Sequence, residues 1–449
     1  MNLWTLLATH IEHKRNARRS GAGIAVRQRH KFRRLMAYAQ RKSPYYRDLI
    51  SARGISIATC VPEDFPVLTK SGLMENFDNI VTDRRITRDA IADFFAVSKN
   101  PSDLFAGKYT VVHTSGTSGE IGYFVYSPTD WSRGMSQTLR INPIRPGKRR
   151  LAFFGATQGH FAGVTFAATS QRSILKLKYD LVTYDVNTPL AAVLEGLNAF
   201  QPDILMGYAS GLAILAQRQG NGELDISPTW IQSSGEVITS ADWALIESTF
   251  GVPLLNVYSC TEHLIMGVGT REFGGTYLFE DDLIFELMRD HTMVTNLFNY
   301  TLPLVRYRMD DTLERTEDSR KIYPFTKVKD IAGRNEHIPC FTNRHGENDF
   351  ISPHIINEFI VKNVRRFQLE VVDKTSCIFR VCLERDLSDL GRAKTLRDVE
   401  TRLREIFAEK DMSNVSRRIE AVDDVLPDAR TGKFRLIVMP DKIRAAMRQ

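Results

Sequence analysis

The chain has 449 residues, too many for one compact core, so two domains are expected, with room for a third sub-domain. Hydrophobic residues at 43% and charged residues at 25% exclude a largely disordered chain. Lys and Arg number 60 against 53 Asp and Glu, and a formal charge of +7 on this length does not point to nucleic acid.

The opening stretch, MNLWTLLATHIEHKRNARR, is too short in its apolar part for a signal sequence or a membrane span, and its charge follows the apolar residues. Between Lys14 and Arg47 stand twelve Lys or Arg and no Asp or Glu. That run reads as a solvated helical face, or as a peripheral contact for anionic lipid or an acidic protein. Residues 25–50 place Phe32, Leu35, Met36 and Tyr38 on a helical period that Ser43-Pro44 ends.

Next comes Val111-Val112-His113-Thr114-Ser115-Gly116-Thr117-Ser118-Gly119. A β-branched run enters Gly and hydroxyl residues, whose N–H and O–H groups can converge on an anion, or can form an ordinary surface turn. Glu120 follows where a P-loop needs Lys, and no GxGxxG follows a strand. Gly207-Tyr208-Ala209-Ser210-Gly211 lacks the GxSxG order of a serine hydrolase.

The uncharged stretch Leu151–Gln171 reads as core strand and loop. From about 150 to 260, strand-like runs (LAFFGA, DILMGYA, WIQSSGE, LLNVYS) alternate with helix-like ones (LAAVLEGLNAF, GLAILAQRQ, SADWALIESTF), which predicts a parallel sheet covered by helices. From about 276 to 332 the pattern turns to hairpins: TYLFEDDLIFELM and TMVTNLF flank Arg289-Asp290-His291. Beyond, QLEVVD and CIFRVCLE read as strands, and Leu396, Val399, Leu403, Ile406 and Phe407 share one helical face. The five cysteines (Cys60, Cys260, Cys340, Cys377, Cys382) have no CxxC spacing, so neither a zinc site nor a disulfide framework is indicated and a cytoplasmic location is expected.

Further segments follow in order: Ser234-Gly235-Glu236, Tyr258-Ser259-Cys260-Thr261-Glu262, Arg306-Tyr307-Arg308-Met309-Asp310-Asp311, Ile331-Ala332-Gly333-Arg334, and Arg430-Thr431-Gly432-Lys433. With HTSGTSG, this series resembles the adenylate-forming superfamily. VTNLFNYTLPLVRYRMDD and AYAQRKSPYYRDLI resemble its phenylacetate-CoA ligase and CapK-like branch. The resemblance implies an α/β fold: a large N-terminal domain (1–333) with mixed sheets and an antiparallel portion, then a small α+β domain (337–449) on a hinge. It also implies acid activation with ATP and Mg²⁺ to an acyl-AMP, followed by transfer to a thiol of coenzyme A or of phosphopantetheine on an acidic carrier protein. The alternative sends the acyl group to an amine or hydroxyl of a cell-envelope precursor, and a further one is a degenerate relative that binds without catalysis. A homodimer is a property of the branch.

By the same resemblance, Thr114, Ser115, Gly116, Thr117, Ser118 and Gly119 close over phosphates, although Glu120-Ile121 stands where members often carry Lys-Pro. Gly235 and Glu236 lie on the adenine side, and Tyr258 stacks on the base. Thr261 meets the α-phosphate, Glu262 holds Mg²⁺, and Asp311 accepts the ribose hydroxyls. Arg334 falls at the hinge, and Lys433 bridges carboxylate and α-phosphate. His160, Phe161 and Tyr208 fall where relatives line the acid pocket, although His160 reads equally as a satisfied core histidine.

Overall fold

The computed structural model describes residues 2–114, 121–141, 147–157, 159–172, 174–329, 338–352, 355–356, 359, 361–425 and 436–439. Ser115–Gly119, Arg334 and Lys433 lie outside them, as does the expected domain boundary at 333–337.

The chain opens with helices α1 (Leu3–Asn16), α2 (Gly21–Lys42) and α3 (Pro44–Arg53). Ser20 caps α2 by accepting from Gly23 N. Ser43 closes α2 in an extended conformation, and its hydroxyl then accepts from Tyr46 N to start α3. The expected stop at Ser43-Pro44 is therefore also a start, because proline at a first helical turn lacks only an N–H that would have no partner. Short helices α4 (Lys70–Glu75), α5 (Phe77–Ile80) and α6 (Arg88–Val97) follow. Then come the antiparallel pair β1 (Thr110–His113) and β2 (Tyr123–Tyr126), and helices α7 (Pro128–Met135) and α8 (Thr138–Ile141).

The α/β part comprises β3 (Arg149–Gly155), α9 (Ala162–Gln171), β4 (Tyr179–Asp185), α10 (Leu190–Phe200), β5 (Ile204–Gly207), α11 (Ala209–Gly220), β6 (Trp230–Ser234), α12 (Ser240–Phe250) and β7 (Leu254–Cys260). After it run β8 (Leu264–Thr270), β9 (Gly275–Leu278), β10 (Leu283–Leu287), β11 (Thr292–Asn296), β12 (Tyr307–Met309) and β13 (Lys327–Val328). An eight-stranded sheet has the order β13-β9-β8-β7-β6-β5-β3-β4, parallel from β4 to β7 and antiparallel beyond. A second sheet, β10-β11-β12, is antiparallel. The predicted hairpin is thus β10–β11, whereas Thr276–Leu278 belongs to the large sheet, separated by Asp281-Asp282. The end of the uncharged stretch is helix α9 where a loop was expected, since Val164, Thr165 and Thr169 are buried at helical spacing.

A hairpin, β14 (Cys340–Thr342) and β15 (Asn348–Phe350), leads to a four-stranded sheet, β18-β17-β16-β19, made of β16 (Val364–Asp373), β17 (Ser376–Leu383), β18 (Ser416–Ala421) and β19 (Ile437–Val438). Helix α13 (Asp389–Glu409) covers it with Val399, Leu403, Ile406 and Phe407 buried, the face expected from sequence. The whole is mixed α/β. One hydrophobic cluster runs from α10 and α11 through Phe341 and Phe350 to Leu369, Phe379 and Phe407. At its edge Lys410, 0% exposed in its side chain, pairs with Asp349 Oδ1 at 3.0 Å and donates to Thr188 O at 2.9 Å. Asp349 Oδ2 accepts from Leu190 N at 2.9 Å. No helix among the described residues is long and apolar enough to cross a membrane.

Two carboxylates, both 0% exposed, tie the opening helices to the sheets. Asp282 Oδ1 accepts from Arg133 Nη2 at 2.6 Å and from Lys31 Nζ at 3.0 Å, while Oδ2 accepts from His13 Nε2 at 2.7 Å and Gln137 Nε2 at 3.0 Å. Asp281 accepts from Arg140 and from Asn16 at 2.9 Å each. Burial opposes ionisation of Asp282, but Arg133, Lys31 and His13 outweigh it and hold the carboxyl well below its ordinary range. Burial, then Arg140, lowers the pKa of His13 against the pull of Asp282 and Asp281.

Removing the carboxylate leaves Lys31 and Arg133 with Glu12 alone and strips His13 and Gln137 of their acceptor, so Asp282→Ala should cost about 3 kcal/mol in urea unfolding at neutral pH. A depressed folded pKa stabilises above the ordinary value of 3.8 and loses that contribution as pH falls through the folded value. The gap between variant and wild type should therefore narrow below that pH.

Candidate active site

Alternation along the large sheet sends one set of side chains into a cavity. Leu151 and Phe153 of β3, Met206 of β5, Gln232 and Ser234 of β6, and Val257 and Ser259 of β7 line its floor, while Ala152, Phe154, Leu205 and Ile231 join the cluster on the other face. Met135 and Leu139 of the α7–α8 segment and Phe166 of α9 form the roof. The volume is about 370 Å³. Thr114, Phe161, Tyr208, Gly235, Thr261 and Glu262 also line it, so six residues selected from sequence meet at one place.

Thr114 forms the neck of the Ser/Gly loop. Its N–H donates to Gly122 O at 3.0 Å, and Gly122 N donates back to Thr114 Oγ1 at 2.9 Å. Gly235 sits at φ +78°, and a Cβ there would stand 3.1 Å from the Tyr208 ring, so both backbone and space ask for glycine. Glu236 does not line the cavity. Its Oε2 accepts from Ser210 N at 2.9 Å in the first turn of α11, where a carboxylate suits the helix dipole.

The turn between β7 and β8 presents Thr261 and Glu262. Tyr126, fully buried, donates its hydroxyl to the carbonyls of both, each at 2.9 Å. Leu264, which ends the turn, adopts φ +61°, an uncommon state for a branched residue that the flanking strands hold. Glu262 is half-buried, and burial raises the pKa of its carboxyl above the ordinary glutamate value, with Lys70 pulling the other way. Tyr307 hydroxyl lies 3.4 Å from Glu262 Oε1. The carboxylate oxygens of Glu262 are hard donors of the kind a divalent cation with oxygen preference takes.

Beside the cavity, Tyr258 hydroxyl donates to Asp311 Oδ2 at 2.8 Å, and Thr292 holds Asp311 through its carbonyl. Tyr258 belongs to the large hydrophobic cluster and is 9% exposed, which leaves little of it free for the base stacking expected from sequence. Burial, then Asp310, raises the Asp311 pKa against the bond from Tyr258.

His160 takes the core role. It is 1% exposed and does not line the cavity. Its Nε2 lies 3.0 Å from Ser98 Oγ, which donates to Asp103 at 2.8 Å, so the imidazole is the donor toward Ser98. Phe94 and Phe95 pack on the ring. Phe161 next to it turns into the cavity.

Sequence reasoning missed Tyr126, Tyr307 and Lys70. Lys70 opens α4, and its stem passes Gly122, with Cε 3.1 Å from where a Cβ would stand. Its only sequence signal is the Thr69 cap, which speaks of a helix start and not of a site. His13, Asp281 and Asp282 also cluster as metal ligands do, but Lys31, Arg133 and Arg140 already occupy their carboxylate oxygens.

No family model matches the chain. Protein CapK of Staphylococcus aureus is 23% identical over 336 residues, which span 69% of this chain and 67% of that protein. Among solved structures, 2-hydroxyisobutyryl-CoA ligase in complex with 2-HIB-AMP and CoA in the thioesterification state aligns with a TM-score of 0.60 at 20% identity, covering 97% of this chain and 94% of that one. An open conformation of that ligase aligns at 0.54 and 17% identity over 92% and 90%. At these identities the likeness shows the fold, and the chain has the fold of 2-hydroxyisobutyryl-CoA ligase.

Proposed function

We propose that the protein activates a carboxylic acid with ATP as an acyl-adenylate and passes the acyl group to the thiol of coenzyme A or of carrier-bound phosphopantetheine. The observation that carries this reading is a single cavity with an apolar floor and a mouth of Thr114, Thr261 and Glu262. Leu151, Phe153, Phe166 and Met206 suit an aryl or other apolar acid, and about 370 Å³ lies within the usual range of small-molecule sites. The acid's carboxylate then lies at the polar mouth, where charge develops.

Thr114 fixes the neck of the phosphate-closing loop, and Thr261 offers a hydroxyl at the α-phosphate. Glu262 holds Mg²⁺, which supplies neutralisation of phosphate charge when bound. Tyr126 keeps Thr261 and Glu262 in place through their carbonyls. Asp311, oriented by Tyr258, accepts the ribose hydroxyls. Lys433, from the 337–449 domain proposed to move about Arg334, brings a cation to the reacting carboxylate and phosphate. The chemistry is positioning and charge neutralisation, because a carboxylate is a weak nucleophile toward a polyanion.

Pyrophosphate release with Mg·ATP and a panel of aryl and fatty acids tests the reading. The wild type should respond to a subset of acids, and Lys433→Ala should lose about 100-fold or more in rate while keeping its melting temperature. No release with any acid overturns the reading. AMP release that depends on an amine or hydroxyl, with none on a thiol, moves the acceptor to the second class.

Glu262 and Asp311 both hold protons more tightly than ordinary carboxyls. Affinity for Mg·ATP should therefore fall on the acid side with a midpoint above 4.5, the ordinary glutamate value. Glu262→Gln should weaken the Mg²⁺ dependence and move that midpoint, as read by titration with a fluorescent nucleotide.

A further inference from the structure

We propose that the outer face of α1 docks on an anionic lipid surface. The inference is independent of the reaction proposed above, since α1 contributes nothing to the cavity.

Helix α1 has two distinct faces. Leu6, Thr9, His13 and Asn16, spaced at three and four residues, are buried, and His13 and Asn16 are fastened to Asp282 and Asp281. The opposite face carries Trp4 at 83% exposure, with Leu7 at 41% and Ile11 at 50% beside it. Those three lie at i, i+3 and i+7 and so form one stripe. The same stripe continues as Lys14 and Arg15, and Arg18 follows in the turn after the helix, all three exposed. One helical face is thus apolar in its first half and cationic in its second.

No acid interrupts it. The single carboxylate in residues 2–47, Glu12, lies on the flank and is paired with Arg27, Lys31 and Arg133. Across the cleft between α1 and α2, Arg19 and Arg34 extend the positive field. Val26 of α2 adds an apolar side chain at 57% exposure.

This combination matches a bilayer interface better than a protein surface. Indole and aliphatic side chains enter the headgroup boundary, and the cations beside them meet anionic headgroups. The helix is already folded and fixed, so little conformational entropy is lost on docking. The patch is small, so binding should be weak, reversible and dependent on both halves. It should also fall with salt, as screening demands.

The full chain, mixed with phosphatidylcholine vesicles containing phosphatidylglycerol, should cosediment, whereas pure phosphatidylcholine vesicles should retain little. Tryptophan emission should shift to the blue on binding. Trp4 is the reporter, because Trp131 and Trp243 are buried and Trp230 is half-buried. Leu7→Ser with Ile11→Ser, and separately Lys14→Ser with Arg15→Ser and Arg18→Ser, should each weaken binding about tenfold or more with the melting temperature kept. Three results overturn the proposal: no vesicle association by the wild type, equal association by the variants, or a dimer in solution that the Leu7 and Ile11 substitutions dissolve. Association with an acidic carrier protein in place of vesicles overturns it too.

Discussion

The Asp281–Asp282 pair does more than join charges. Arg133 and Gln137, which reach Asp282, and Arg140, which reaches Asp281, come from the α7–α8 segment that also supplies Met135 and Leu139 to the cavity roof. The same two carboxylates hold α1 and α2 through His13, Asn16 and Lys31. The shape of the cavity is therefore set from behind, by a buried charge cluster. Such a cluster adds less to net stability than its bond count suggests, because its members were well solvated before folding. Its contribution is to define one arrangement of helices over the sheet.

At the mouth the logic is reversed. Glu262 and Asp311 are partly enclosed, and both carboxyls respond with a raised proton affinity. A site so arranged gains more from a metal ion and from hydroxyl donors than an exposed one does. The restraint comes from tyrosines. Tyr126 grips the Thr261-Glu262 backbone, and Tyr258 orients Asp311, each from a ring embedded in the core.

Much of this was readable from the residues alone. LAFFGA, DILMGYA, WIQSSGE and LLNVYS are buried between helices, so they read as unbroken apolar runs, and all four are strands of the large sheet. The edge strand β4, part-exposed along its length, carries no such run and passed unseen. TYL was read as one run with LIFELM straight through Asp281-Asp282, whereas the chain changes sheet at those two buried aspartates. For the site, the order of short motifs gathered Thr114, Gly235, Thr261 and Glu262. Lys70 and Tyr126 had no motif, since they reach Glu262 only through packing of segments far apart in the chain. His160 was ambiguous because a core histidine and a pocket histidine look alike until Ser98 and two phenylalanines are seen around it.

The buried ammonium of Lys410 bears on motion. It spans from the Asp349 carboxylate to the Thr188 carbonyl, and Asp349 in turn grips Leu190 N. Lys410 and Asp349 both belong to the 338–439 stretch, so displacing that stretch from the large sheet would part Lys410 from the Thr188 carbonyl and Asp349 from Leu190 N, and uncover Phe350 from Phe154, while the ion pair itself travels intact. In such a displacement the buried lysine would keep its carboxylate and give up only a neutral carbonyl, so the seam is held by dipoles and ring contacts more than by charge.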